Sequence, residues 1–457
     1  MGTHCCSTKE QAHNKVSPDQ GSNINMNNNA LSNQGRNNYT NNNISLPSKG
    51  SSFNKELCKS IANKLPTRTQ TDFHSFKDLL RSKTNNLSPI EKSYVIFIWI
   101  CENIRYDADS YFSGADVDCT PEGVYNNGLS VCSGYSRLFK DFSDYLGLEV
   151  ECVNCFAKGV GYEPGQMLNK TDHEYNVIKL DNKWYPIDST WGAGHINKNN
   201  RFEKSYNEFY FLANPELLIR THFPEDEKWQ LTKRRYTFQE FLKWPLVKNT
   251  FYKYGFESFS PDEGLIHLTN SNEKKFIIYG GNMSTKTILC DVFLLQGNIY
   301  QQILEMDNIN FYGDRAEIDC IFNKKGKYKV KFFGNNVRGQ QDNNDILEYS
   351  VVVDRDAKKE LSFPQSYMGK EDINIIEPLY DNIKSGQNVK FKIKAISPEI
   401  DTLIIIDGQW HYLNKNDDGL FEKEIMIQTP PGKNIIVGKR KDNNDCSCSY
   451  MVAYAII

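Results

Sequence analysis

A chain of 457 residues is too long for one ordinary hydrophobic core and implies several domains. Charged side chains make up 24% of it and the formal net charge is -3, which excludes the basic footprint of a nucleic-acid binder and a polybasic surface for anionic lipid. Its twelve cysteines lack the dense, regular spacing of a small disulfide scaffold, no N-terminal apolar run has the form of a secretory signal, and no apolar run reaches the ~18 residues of a membrane-spanning helix.

A reducing, cytoplasmic setting is the expectation, qualified at once by the first residues. In Met1-Gly2-Thr3-His4-Cys5-Cys6-Ser7, removal of Met1 exposes Gly2, with Cys5 and Cys6 just beyond it. This is similar to a myristoylation and palmitoylation signal that would attach the protein to a membrane by its N-terminus, except that Cys6 stands where Ser or Thr is preferred and Ser7 falls one place late. The alternative is a pair of ordinary thiols on a tail. Residues 1–52 are dominated by Asn, Ser, Gln and Gly, too few of them apolar to offset the entropy of ordering, and are expected to form a disordered tether.

Ordered sequence begins near Phe53. Ser88-Pro89-Ile90-Glu91 has the form of a capping box with proline at the first helical position, predicting a helix over 88–103. Its apolar residues Ile90, Tyr94, Val95, Ile98, Trp99 and Cys101 surround most of the axis, so the helix should be buried and Trp99 should be core. A second, amphipathic helix is expected over 132–146, with Tyr135, Leu138, Phe139, Phe142, Tyr145 and Leu146 on one stripe and Gly147 at its end. Strands follow at 149–157, 173–180 and 183–188, the last two joined by the turn pair Asp181-Asn182. Beyond Trp244-Pro245 the pattern changes to short strands between Asn, Gly and Asp clusters, at 276–279, 287–295, 327–333 and 346–353, then at 389–395, 402–406, 421–427 and 434–437. Two successive β-sandwiches are expected.

The chemistry concentrates at Val131-Cys132-Ser133-Gly134-Tyr135. A cysteine at a helix start meets unpaired backbone N–H groups and a partial positive charge, which favour thiolate and can receive the oxyanion formed when it attacks an acyl carbon. Taken alone, such a cysteine is more often structural. Downstream, a two-residue turn at Asp181-Asn182 pairs Leu180 with Lys183 and hence Tyr175 with Asp188, leaving His173 on the same face, diagonal to Asp188 and within hydrogen-bonding reach. A one-residue slip would separate them. Alone, His173 reads as a satisfied histidine and Asp188 as a strand-end turn residue.

The blocks Val131-Cys132-Ser133-Gly134-Tyr135-Ser136, His173-Glu174-Tyr175-Asn176 and Trp184-Tyr185-Pro186-Ile187-Asp188-Ser189-Thr190-Trp191-Gly192-Ala193-Gly194, preceded by Trp99-Ile100-Cys101-Glu102-Asn103-Ile104-Arg105-Tyr106-Asp107, resemble the transglutaminase-like superfamily over roughly residues 55–250. The resemblance is greatest to its kyphoscoliosis peptidase branch. It implies an α+β fold, with a papain-like transglutaminase core over 53–250 followed by one or two immunoglobulin-like β-sandwich domains over 251–360 and 361–457. It further implies a Cys-His-Asp triad of Cys132, His173 and Asp188, with Trp191 either walling the acyl site or simply packing in the core. The expected reaction is acyl transfer on a protein substrate, released to water as a peptidase or amidase or to an amine as a cross-linker.

Other clusters weaken on inspection. Cys152-Val153-Asn154-Cys155 has no second pair at zinc-finger distance, and Cys446-Ser447-Cys448 sits in a strand-like run, so structural thiols are the reading for both. Gly159-Val160-Gly161 lacks the helix and the further glycines of a phosphate loop. No metal and no cofactor are expected. The rival from another class is an adaptor that uses the same fold as a binding module at membrane or cytoskeleton; an arylamine acetyltransferase with the same triad is a third reading.

Overall fold

Ser88 opens the first long helix, Pro89–Asn103, in the computed structural model, which describes residues 53–339, 343–367, 370–440 and 447–457. The Glu91 carboxylate accepts hydrogen bonds from the Ser88 N–H at 3.0 Å and the Ser88 hydroxyl at 2.6 Å, the return half of a capping box, and from the Asn54 N–H at 3.1 Å. As its composition predicts, the helix is buried nearly all round, with Tyr94, Phe97 and Trp99 enclosed. Trp99 is core: its indole N–H donates to the Pro66 carbonyl at 3.1 Å, and its ring lies 4.4 Å from that of Phe76.

Contacts divide the described residues into two units, one comprising residues up to Val160 together with Asn169–Arg235, the other comprising Gly161–Leu168 and Tyr236–Ile457. In the first, a four-stranded antiparallel sheet runs in the order Lys183–Ile187, His173–Leu180, Val150–Ala157, His222–Pro224. The helix Cys132–Tyr145 packs on its two middle strands, and of the stripe read from the sequence Tyr135, Leu138, Phe139 and Phe142 are buried while Tyr145 and Leu146 are only partly so. Phe142 continues inward to Phe76 at 5.2 Å between ring centroids, joining this helix to the core around Trp99.

The hairpin that carries the candidate site has the expected register. Asp181 and Asn182 both take left-handed backbone conformations, φ 47° and 61°, as a two-residue turn between right-twisted strands requires. Leu180 pairs with Lys183, Ile178 with Tyr185 and Asn176 with Ile187. Pairing ends there, one residue short of the expected strand end, because Asp188 leaves the sheet to cap the short helix Ser189–Ala193.

The second unit is almost all antiparallel sheet. The strands Phe256–Ser260, Glu273–Gly280, Arg315–Ile321 and Asp307–Phe311 form one layer; Leu265–Leu268, Asn344–Val353, Gly326–Asn335, Thr287–Gln296 and Ile299–Ile303 form the other. Phe276 of the first layer meets Phe332 and Tyr349 of the second at 5.3 and 4.8 Å, and the sulfurs of Cys290 and Cys320 meet across the same interior at 3.8 Å. A further pair of sheets encloses Ile373, Phe391, Leu403, Ile405, Val437 and Tyr454. The α+β architecture with following β-sandwiches is the one the sequence predicts, and each strand named from it is present with its ends shifted by a few residues. Among the described residues no helix is long and apolar enough to cross a membrane. Residues 1–52, and with them Gly2, Cys5 and Cys6, lie outside the described residues, as does Cys446.

Close packing at the start of the Cys132 helix gives a stability test. A Cβ on Gly134 would fall 2.0 Å from Ser130 Oγ and 2.8 Å from Val124 Cγ2. Helix propensity alone favours alanine over glycine by about 1 kcal/mol, so Gly134→Ala should stabilise unless this contact dominates. We expect a net loss of about 1–3 kcal/mol from overpacking, read as a lower melting temperature and partly restored by Ser130→Gly in the same chain. A raised melting temperature in Gly134→Ala would show that the turn has room to spare.

Candidate active site

Cys132 is the first residue of its helix, with Val131 at the N-cap, and its side chain is half-buried. His173 opens the strand His173–Leu180 beside Cys155 of the neighbouring strand, and Asp188 follows the last paired residue of the next one. The register brings the second and third of these together: His173 Nε2 lies 2.7 Å from Asp188 Oδ2, with both side chains buried. With Nε2 occupied in this way, Nδ1 is the ring nitrogen left for other work. Cys132 acts on the same imidazole as a hydrogen-bonding neighbour.

Asp188 is 1% exposed yet fully supplied with donors. Its Oδ1 accepts the backbone N–H groups of Thr190 at 2.9 Å and Trp191 at 3.0 Å, the cap of the helix that follows. Its Oδ2 accepts from His173 and also from His222, whose Nε2 stands 3.1 Å away. Burial works against the charged carboxylate, but the two histidines outweigh it and hold the Asp188 carboxyl well below the usual carboxylate range. Burial likewise works against a charged His173, and is outweighed by the Asp188 carboxylate and then by Cys132, so its pKa stands well above the ordinary histidine value.

His222 has no place in the sequence reading. It lies on the outer strand His222–Pro224, where it pairs with Ala157, and its Nδ1 is 2.8 Å from the hydroxyl of Thr221. Burial first, then the nearby charge of His173, keep its pKa below the ordinary value despite Asp188. No recognisable block surrounds it. The available signal was the run Thr221-His222-Phe223-Pro224, a histidine in a short strand whose neighbours are buried, which must find a partner inside the protein.

Trp191 covers this group. Its ring centroid is 4.4 Å from that of His222 and 5.6 Å from that of His173, both across tilted or edge-on contacts, so it screens the bonds to Asp188 from solvent. Tyr106 adds a phenol close enough to Cys132 to feel its charge. Ser133, next to Cys132, donates its hydroxyl to the buried Cys119 sulfur at 3.1 Å.

Ligand-type atoms of His173, Asp188 and His222 lie within 4.8 Å of one another, a donor set that transition metals take. Here both Nε2 atoms stand at ordinary N–H···O distances from one carboxylate oxygen, so protons account for the arrangement. Cys152 and Cys155 lie on one strand, and neither joins the metal-type cluster.

Residues 77–189 match the family model described as transglutaminase-like superfamily, a segment that contains Cys132, His173 and Asp188 and ends before His222. The chain carries a transglutaminase-like domain. Residues 238–364 match a second model, the KY-like, immunoglobulin-like domain, so the first β-sandwich after the transglutaminase-like domain is of that kind. Among curated proteins the chain is similar to the kyphoscoliosis peptidases of Mus musculus, 34% identical over 40% of this chain, and Homo sapiens, 33% identical over 42% of it. It is also similar to Hillarin of Drosophila melanogaster, 28% identical over 44% of this chain. These alignments span 28%, 29% and 26% of the relatives' own lengths.

The charge arrangement of the transglutaminase-like domain has a signature in stability. A carboxyl held below its unfolded value of about 3.9 contributes stability that is present above that pH and lost as pH falls through the folded value; a histidine held above its unfolded value of about 6.5 contributes below that pH and loses it as pH rises through the folded value. The stabilisation from the His173–Asp188 pair should therefore be greatest between those limits. Melting temperatures of wild type and Asp188→Asn should differ most near about pH 5–6, and the difference should begin to narrow as pH falls below about 4. Parallel curves would mean that Asp188 is not the ionised partner of His173.

Proposed function

We propose that this chain performs cysteine-dependent acyl transfer on protein substrates, with Cys132 as nucleophile, His173 as base and acid, and Asp188 as the residue that orients the imidazole. The observation that carries the reading is the buried 2.7 Å contact between His173 Nε2 and Asp188, which leaves Nδ1 as the nitrogen to serve Cys132. His173 Nδ1 takes the Cys132 proton as sulfur attacks a peptide or carboxamide carbonyl. The carbonyl oxygen, now negative, is received by backbone N–H groups of the helix start at Cys132. The tetrahedral intermediate collapses, His173 returns its proton to the departing amine or ammonia, and an acyl thioester remains on Cys132. Water completes hydrolysis; a lysine amine of a second protein completes a cross-link. The naming of the mouse and human relatives as peptidases supports the first outcome.

Four other thiols of the domain are poor competitors. Burial pushes Cys58 and Cys152 up to about 11 and Cys101 and Cys155 well above the ordinary thiol value, so little thiolate is available at any of them near neutral pH.

A chloroacetamide or similar thiol probe at neutral pH should therefore label Cys132 first, and Cys132→Ala should abolish fast labelling together with any cleavage, deamidation or amine incorporation. Its melting temperature should stay within a few degrees of wild type, since a half-buried thiol is replaced by a methyl. Turnover retained in Cys132→Ala would remove the nucleophile from this site. Slow labelling spread over several cysteines in the wild type would instead favour the fold as a binding module.

A further inference from the structure

Two histidines, one on an inner and one on an outer strand of the same sheet, aim Nε2 at one carboxylate oxygen: His173 at 2.7 Å and His222 at 3.1 Å from Asp188 Oδ2. All three side chains are buried, so two imidazoliums on one carboxylate would leave a net positive charge without water, an arrangement that costs several kcal/mol. One ring has to be neutral, and the surroundings select His222. The Thr221 hydroxyl stands 2.8 Å from its Nδ1 and 3.3 Å from the Leu218 carbonyl, and gives its one proton to the nearer acceptor, Nδ1, when the ring proton sits on Nε2. The Nε2–H then points at Asp188, and the Trp191 ring closes over the contact at 4.4 Å.

We propose that His222, in its neutral Nε2–H form, is a positioning residue that holds the Asp188 carboxylate ionised and aimed at His173. The proposal rests on the acyl-transfer reading of the same site and adds to it a residue beyond the segment 77–189 that matches the family. The charge relay is then four residues long. Oδ1 of Asp188 is fixed by the Thr190 and Trp191 N–H groups, Oδ2 is shared between two ring donors, and the carboxylate cannot rotate without disturbing the bonds at both oxygens. The groups that face His222 are Asp188 and His173, the Asp172 carboxyl, the rings of Tyr175, Tyr210 and Trp191, and Thr221. Removing the Nε2–H leaves a buried carboxylate lone pair unfilled. The anion is then less favourable, it supports the His173 imidazolium less, and that imidazolium in turn supports the Cys132 thiolate less.

The test is the pH dependence of Cys132 alkylation by iodoacetamide in the full chain, located by peptide mass, for wild type, His222→Phe and His222→Gln. In His222→Phe, which fills the volume without a donor, the pH of half-maximal labelling should move up by about one unit, a roughly tenfold lower rate on the rising limb. In His222→Gln, whose amide N–H reaches toward the same oxygen, the wild-type profile should largely return. A substrate assay should show the loss in kcat with KM little changed. A folded His222→Phe with the wild-type profile overturns the proposal while leaving the acyl-transfer reading intact. A wild type whose Cys132 labels no faster than its buried thiols at any pH overturns both. Should His222→Phe fail to fold, nitrogen shifts of the wild-type ring decide the matter: a neutral ring protonated on Nε2 between about pH 5 and 8 supports the assignment, and a proton on Nδ1 or a charged ring overturns it.

Discussion

A carboxylate from which water is excluded must be given donors by the protein, or it takes up a proton and loses its charge. Asp188 meets that requirement with four, and the four come from different parts of the chain. Two are N–H groups of the helix it caps, one is on the adjacent strand of the hairpin, and one is on an outer strand reached through the short segments between Gly194 and Thr221 that return the chain to the sheet. Asp188 also donates its own N–H to the Tyr210 carbonyl at 3.0 Å, which ties it to that returning segment. The hairpin, the cap and the outer strand therefore have to be formed together for the carboxylate to be stable as an anion. Fold and site depend on the same hydrogen bonds.

The same burial sorts the cysteines. Strand and helix interiors take Cys58, Cys101 and Cys155 as small apolar side chains, and desolvation keeps them as thiols. Cys132 differs in being half-buried, at a helix start and beside a ring whose charge Asp188 supports. The distinction is made by position rather than by residue type.

Much of this was legible in the sequence because it depends on short-range rules. Ser88-Pro89-Ile90-Glu91 announces a helix start by side-chain chemistry, and Asp181-Asn182 fixes a two-residue turn whose register then places His173 diagonal to Asp188. The helix face of Tyr135, Leu138, Phe139 and Phe142 follows from a period of 3.6. What the sequence did not disclose is longer in range. His222 reaches Asp188 only because the strand His222–Pro224 pairs with Ala157 and its neighbours, a non-local choice that no turn residue or periodicity encodes. Asp188 itself was expected to end a strand and instead caps a helix, since a carboxylate that accepts N–H groups two and three residues ahead competes with sheet pairing.

With Asp188 and His222 enclosed and Trp191 laid over both rings, the exposed face of the site is the Cys132 side. On the acyl-transfer reading, a substrate carbonyl would reach the sulfur from there, and so would the water or amine that resolves the thioester. The orienting bonds are screened from solvent whichever acceptor arrives, so on that reading the histidine would be held the same way in both halves of the reaction. Selection between hydrolysis and cross-linking would then lie outside the Asp188 cluster. It has to be made by whatever lies against the open side of Cys132 during the lifetime of the acyl-enzyme: a surface that excludes water and presents an amine favours transfer, and one that leaves the sulfur open to solvent favours cleavage.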